Sequence, residues 1–440
     1  MRSLVLTVCL AFAPLAAAQG THAGRMPQIG GATAPALPSL STAEAAEEGT
    51  GGLDPRRLQQ LRAARISQLL RRYREVLEAD PHGALIVRGE LLALAPSPAA
   101  LQAAESAGFA LLREPPLAGL DLRIVVLRAP SGTARALQRL QALDPGGTYD
   151  FNHVYTDSGT PAALIRGAAL SVAGGDNAGS DGALVSVGLI DSGVAVGHEV
   201  FRGARVERHG CGGELVPPGA HGTAVASLLV GKAAALHGAA PGAALYAADV
   251  FCARAAGGAV DAVAEAFAWL VEQHVPVINV SLVGPPNRLF ERVVHEVISR
   301  GYLVVAAVGN DGPRAAPLYP AAWPGVVGVT GVDAKAHVLG EAERGAQVRF
   351  AAPGSQMAAA RVDGGYMLVR GTSFAAPIVA GLLALTLPAP DPRAAEEALT
   401  ALARSAQHLG TPGVDPAYGY GLVGAELRWQ PALAAFRPAN

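Results

Sequence analysis

The chain has 440 residues, of which 50% are apolar and only 16% charged, so it can build a large buried core and does not have the composition of a disordered chain. A formal net charge of -2 leaves no whole-chain field to gather polyanions, and nucleic acid is excluded as an expected partner. The length allows about three domains.

Arg2 precedes an apolar stretch over residues 4–12, and Ala16, Ala17 and Ala18 stand before Gln19. That is the layout of a cleavable secretory signal, residues 1–18, and the protein is expected to be secreted or periplasmic. Pro14 and the small residues keep the stretch below the roughly 20 apolar residues of a membrane span, so no stable membrane anchor is expected. Removing the signal also removes Cys9 and leaves Cys211 and Cys252. In an exported protein these two are disulfide candidates, and closing their loop would stabilise by about 4 kcal/mol in the chain-entropy model. Two unpaired buried thiols are the alternative.

Residues 19–52 are rich in Ala, Gly, Pro and Thr without period and read as a linker. Residues 53–79 carry leucines at helical spacing and seven arginines, which predicts a basic amphipathic helix. A solvated face on a packed helix is a commoner fate for such a basic face than a membrane or nucleic-acid role. Residues 19–83 are thus a linker and helix. Short elements follow: strands over 91–95, 109–112 and 122–127, and helices over 98–107 and 133–143. They predict a small α+β unit over 84–155. Residues 156–182, which include the stretch GGDNAGSDG, are a linker.

From residue 183 to about 430 the pattern alternates. Apolar runs at 183–190, 244–250, 277–282, 303–308 and 326–332 are those of strands covered on both faces, and helical patterns at 221–236, 260–273 and 289–300 separate them. Such alternation predicts an α/β fold with a mostly parallel sheet between two helical layers, and a site beyond the carboxyl ends of its strands.

Four polar residues stand at those ends. Asp191 follows a buried run, His221 opens a helix of small residues, Asn310 lies in a Gly-flanked turn after a strand, and Ser373 begins a helix after a short turn. Hydrolysis of an acyl bond needs these types together: Ser373 as nucleophile, His221 as general base, Asp191 to fix the imidazole tautomer, and Asn310 to donate to the oxyanion. The order Asp, His, Ser and the sequence Gly371-Thr372-Ser373-Phe374-Ala375 differ from the Ser, acid, His order and G-x-S-x-G turn of α/β-hydrolases.

The segments LIDSGV, HGTAVAS, VINVSL, AAVGNDG and GTSFAAPIVAG resemble the motifs of subtilisin-like serine proteases, over about residues 183–425. The resemblance implies a three-layer α/β/α fold, endopeptidase activity on protein or peptide substrates, and substrate bound as an extended strand against Ser281, Leu282, Val283 and Gly284, with Gly309 nearby. Val283 departs from the small residue usual there and adds bulk near the presumed P1 entrance. The resemblance also implies an inhibitory prodomain in residues 84–155, self-cleavage between 155 and 183, and calcium as a structural ion, though no metal ligand can be matched in this sequence. An isolated Asp or Ser would ordinarily be structural, and His198, His209, His237, His274, His295, His337 and His408 match no motif and are read as surface or core residues. Asp249 reads as a sheet-end residue and Asp311 as a cleft residue outside catalysis. A catalytically dead binding protein and an esterase are the rival functions; fluorophosphonate labelling separates the first, and peptide against ester turnover the second.

Overall fold

The computed structural model describes residues 55–157, 185–211, 216–233, 236–254 and 257–428, all within one unit of the chain. The expected signal segment 1–18, the linker 19–52 and most of the linker 156–182 lie outside the described residues.

The first part runs α1 (Pro55–Arg72), β1 (Leu77–Ala79), β2 (Leu85–Leu94), α2 (Pro98–Ser106), β3 (Ala110–Arg113), β4 (Ile124–Arg128), α3 (Thr133–Leu143), β5 (Thr148–His153) and β6 (Thr156–Asp157). Its antiparallel sheet has the order β1-β2-β4-β3, and β5 also pairs with β2. Side chains alternate across this sheet. Leu91, Ala93, Val125 and Leu127 pack on Ala136, Leu137 and Leu140 of α3, forming the unit's own core. Leu92, Ile124 and Val126 face the other way and join the core of the second part. With both faces covered, these strands are apolar throughout rather than alternating.

Two boundaries differ from those expected. The sheet includes Leu77–Ala79, ahead of residue 84, because Leu77 pairs with Val87 and is buried; three residues are too few to show a period. Residues 156 and 157, expected as linker, form a strand whose polar side chains give no apolar signal.

The second part contains β7 (Ser186–Asp191), β8 (Val206–Gly210), α4 (Ala220–Val230), β9 (Ala244–Asp249), α5 (Val260–Glu272), β10 (Val277–Val280), β11 (Leu282–Val283), α6 (Arg288–Ser299), β12 (Leu303–Ala307), β13 (Val327–Val332), β14 (Val348–Pro353), the hairpin β15 (Ser355–Ala360) and β16 (Tyr366–Arg370), α7 (Thr372–Ala384) and α8 (Pro392–Ser405). Seven parallel strands form a sheet in the order β14-β13-β12-β10-β7-β9-β8. Residues of α4, α7 and α8 share one core with one face of this sheet, and residues of α5 and α6 share another with the opposite face. This is the three-layer α/β/α fold. Helix α4 stops at Val230 rather than residue 236, because Gly231 folds back on Gly238 and Leu236 enters a short ladder.

The strand order grows outward in both directions from β7, with β9 and β8 on one side and β10, β12, β13 and β14 on the other. A crevice opens where the order switches, beyond the carboxyl end of the central strand. Asp191 is the last residue of that strand.

Candidate active site

Asp191 is fully buried, and its carboxylate is held by local donors: Ser192 N at 2.6 Å and Ser192 Oγ at 3.2 Å, both to Oδ1. His221, in the first turn of α4, places Nδ1 at 2.9 Å from both carboxylate oxygens. Close approach of α4 to this turn depends on glycine. A Cβ at Gly219 would fall 2.1 Å from Ser192 Oγ, and one at Gly222 would fall 2.0 Å from Ser192 O. Burial of the ring opposes its charged form, but the Asp191 carboxylate beside Nδ1 prevails, so the His221 pKa lies above the ordinary imidazole value. Nε2 is buried and has no hydrogen-bond partner among the described residues.

Ser373 sits in the first turn of α7, fully buried, next to Phe374, whose ring lies 5.4 Å from that of His221. Its Oγ donates to Ser281 O at 3.4 Å, while Ser281 Oγ donates to Ser373 O at 3.1 Å. The second bond follows from the sequence. Pro377 stands four residues after Ser373 and has no N–H, so the Ser373 carbonyl lacks its intrahelical donor and accepts the Ser281 hydroxyl instead.

Asn310 follows β12 in a turn that Thr372 clamps. Thr372 N donates to Asn310 Oδ1 at 3.2 Å, and Gly309 N donates to Thr372 Oγ1 at 3.3 Å. The amide is thereby fixed with Oδ1 engaged; Nδ2 is buried and has no hydrogen-bond partner among the described residues. The site thus holds one buried imidazole nitrogen able to accept a proton and one buried amide able to donate a hydrogen bond. The first turn of α7 touches both residues, through Thr372 on Asn310 and Phe374 beside His221.

The wall formed by Ser281, Leu282, Val283 and Gly284 is occupied by the chain itself. Strand β6 pairs antiparallel with β11, Asp157 opposite Leu282 and Thr156 opposite Val283. Val283 is buried as the cross-strand neighbour of Thr156. Tyr155 is fully buried against Gly284, with its ring 5.0 Å from that of Phe290, and donates from its hydroxyl to Pro285 O at 2.6 Å. On the other side Tyr155 N donates to Gly258 O at 2.8 Å.

Helix α1 packs over the same segment with Arg56, Arg57, Arg71, Arg72 and Arg74 exposed, as expected of a basic face on a packed helix, whereas Arg62 and Arg65 turn toward the cleft. Arg62 forms an ion pair with Asp311 and Arg65 with Asp157. Leu58, Leu61, Ile66 and Leu69 join them around a cavity of about 190 Å³, along with Val283, Gly284 and Asn310. Residues 58, 62, 65 and 69 are spaced as one helical stripe, so the two arginines interrupt the apolar face, and this was the available sequence signal. Burial raises the Asp311 pKa and Arg62 opposes it.

Cys211 and Cys252 form a disulfide with a Cα–Cα distance of 5.2 Å. The pairing resolves the alternative of free thiols. Asp249, at the sheet end as expected, accepts from Phe251 N and Cys252 N at 2.9 Å each. Cys211, Asp249 and Cys252 are the one ligand-like cluster among the described residues, and two bonded sulfurs with one engaged carboxylate do not suit a hard oxygen-seeking cation such as calcium. No helix among the described residues is long and apolar enough to cross a membrane.

Sequence reasoning did not single out Ser192, Thr372 or Glu343. The first two lie inside the Asp and Ser motifs, where their neighbours drew the reading; Glu343 stands in a stretch with no pattern.

Residues 182–421 match the model of the subtilase family. The chain is 31% identical to subtilisin DY of Bacillus licheniformis over 264 residues, covering 57% of this chain and 93% of that protein. It is also 31% identical to subtilisin BL of Lederbergia lenta over 261 residues, 57% of this chain and 92% of that one. Among solved structures, fervidolysin from Fervidobacterium pennivorans, described as a keratinolytic enzyme related to subtilisin, shares the fold with a TM-score of 0.62 at 20% identity, over 79% of this chain and 62% of that chain. Buried Asp191 in contact with His221, a serine at a helix start and an amide clamped beside it accord with these matches: the chain belongs to the subtilase family and is a serine endopeptidase.

Proposed function

We propose that Ser373 attacks the scissile carbonyl, that His221 takes its proton and returns it to the leaving amine, and that Asp191 holds the His221 tautomer. Asn310 Nδ2 and the Ser373 N–H donate to the oxyanion. The protein is made as an exported zymogen, secreted or periplasmic, and residues 55–157 act as its inhibitor until self-cleavage C-terminal to Asp157, within residues 158–182. Substrates are proteins or peptides bound extended along Ser281, Leu282, Val283 and Gly284, with Gly309 beside them.

The observation that carries this reading is the β6–β11 ladder. An extended segment of the chain's own N-terminal part lies antiparallel on the wall and runs toward Ser281, whose carbonyl accepts the Ser373 hydroxyl. A peptide in that place is bound as a substrate strand would be, and backbone pairing makes the fit largely independent of its side chains. Apolar packing of Leu92, Ile124 and Val126 on α5 and α6 secures it, as do hydrogen bonds from Arg113 and Asn152 to Asp261 and from Asn287 Nδ2 to Phe151 O. Calcium is not assigned a site, and no step passes through it.

The test expresses the wild-type chain and Ser373→Ala and sequences the N-termini of the exported products. The wild type is expected to begin within 159–183 and to label with a fluorophosphonate, whereas Ser373→Ala retains residues 55–157 and does not label. A Ser373→Ala protein cleaved at the same bond in purified form contradicts self-processing.

A further inference from the structure

Against the turn that carries Asn310 lies a carboxyl group that the hydrolytic steps above do not use. Glu343 has no exposed surface. Its N–H donates to Gly309 O at 3.2 Å, its Oε2 accepts from Leu318 N at 3.2 Å, and its Oε1 has no hydrogen-bond partner among the described residues. The side chain rests on the Gly309 backbone: a Cβ there would fall 2.6 Å from Oε1, at a residue whose φ of +115° already requires glycine. From the other side, Thr372 holds the same two residues through Gly309 N and Asn310 Oδ1. The Gly309–Asn310 turn is therefore gripped between Thr372 and Glu343.

The charged groups that face Glu343 are Asp311, from the same turn, and Arg62, from α1. Burial first, and then Asp311, push the Glu343 pKa up to about 8, with Arg62 and nearby backbone N–H groups opposing. At neutral pH the group is an uncharged acid. Loss of Arg62 with the inhibitory segment removes one opposing influence.

We propose that Glu343, as the neutral acid, is a positioning residue for the oxyanion donor, flooring the Gly309–Asn310 turn and keeping negative charge away from the oxygen that becomes an oxyanion. The proposal rests on the role given to Asn310 above. Ionisation of Glu343 sets a carboxylate behind the donor amide, where it opposes the charge that develops in the transition state but little affects binding of a neutral carbonyl. The effect falls on kcat rather than KM.

The test measures kcat and KM of the processed enzyme from about pH 6 to 10, with active sites counted by fluorophosphonate titration, for wild type, Glu343→Ala, Glu343→Gln and Asn310→Ala. Wild-type kcat is expected to decline on the alkaline side, centred at about 8. Glu343→Ala should lose roughly 10-fold or more in kcat with KM within about 3-fold of wild type. Glu343→Gln, an uncharged isostere, should recover most of that loss and lack the alkaline decline. Wild-type kcat in Glu343→Ala, a flat wild-type profile, or a Glu343→Gln profile that keeps the wild-type decline each overturns the proposal. Should Glu343→Ala fail to fold, the Glu343→Gln profile decides. An Asn310→Ala enzyme with undiminished kcat sinks the role of Asn310 itself, a failure distinct from that of Glu343.

Discussion

The catalytic part and the N-terminal part of this chain use similar materials for opposite ends. Both bury both faces of a sheet, and both reach the cleft with ionisable residues on helices, His221 on α4 and Arg62 on α1. In the catalytic part Asp191 is tied by Ser192 and Asn310 by Thr372, partners within that part that do not depend on what fills the cleft. In the N-terminal part Arg62, Thr156 and Asp157 find partners across the cleft, in Asp311, Val283 and Leu282, and these contacts exist only while that part is docked; Arg65 pairs with Asp157 within the part and ties α1 to β6. Under the proposed function, a pre-organised site and a removable cover differ in where their polar partners lie.

That contrast can be broken in several places. The largest effect is expected for His221→Ala, which removes the base and should lower kcat about 10⁶-fold with the fold intact by circular dichroism. Asp191→Asn should cost about 10⁴-fold in kcat. It should also move the acid limb of the pH profile downward. Asp191 raises the His221 pKa, the reaction needs neutral His221, and removing the carboxylate allows the ring to lose its proton at lower pH. A limb that rises or stays in place contradicts the assignment of cause. Asn310→Ala is expected to cost about 100- to 1000-fold in kcat with little change in KM. If groups of the catalytic part are held locally, none of these three should loosen the docked N-terminal part.

The cover should respond in the opposite way. Replacing Arg62 and Arg65 by Ala leaves Asp311 and Asp157 without their partners, and inhibition of the processed enzyme by its N-terminal part should weaken roughly 10-fold, with kcat of the free enzyme unchanged. Unchanged inhibition would mean that the apolar stripe of α1 alone holds the helix in place.

The sequence made the catalytic part legible because its chemistry is written next to its backbone needs. Gly219 and Gly222 let His221 approach Asp191, and Pro377 frees the Ser373 carbonyl for Ser281, so the residues that shape the site adjoin the residues that act. The strands there are long and apolar enough to declare themselves, and helix α3 lies where its leucine spacing put it, Thr133–Leu143. The N-terminal part was harder to read because its signals are relational. Strand β6 is two polar residues whose identity as a strand comes wholly from β11, and β1 is three residues long. Arg62 and Arg65 read as solvated cations until their carboxylates, 249 and 92 residues away in sequence, are known. Glu343 has no motif because its role comes from burial against Gly309.

The most direct test follows peptide turnover alongside N-terminal sequencing while the purified full-length chain activates. Turnover should stay near zero while residues 55–157 remain attached or docked, and rise only as they are cut away and lost. An intact, unprocessed chain that turns over peptide at the rate of the processed enzyme would show that β6 and α1 do not close the site.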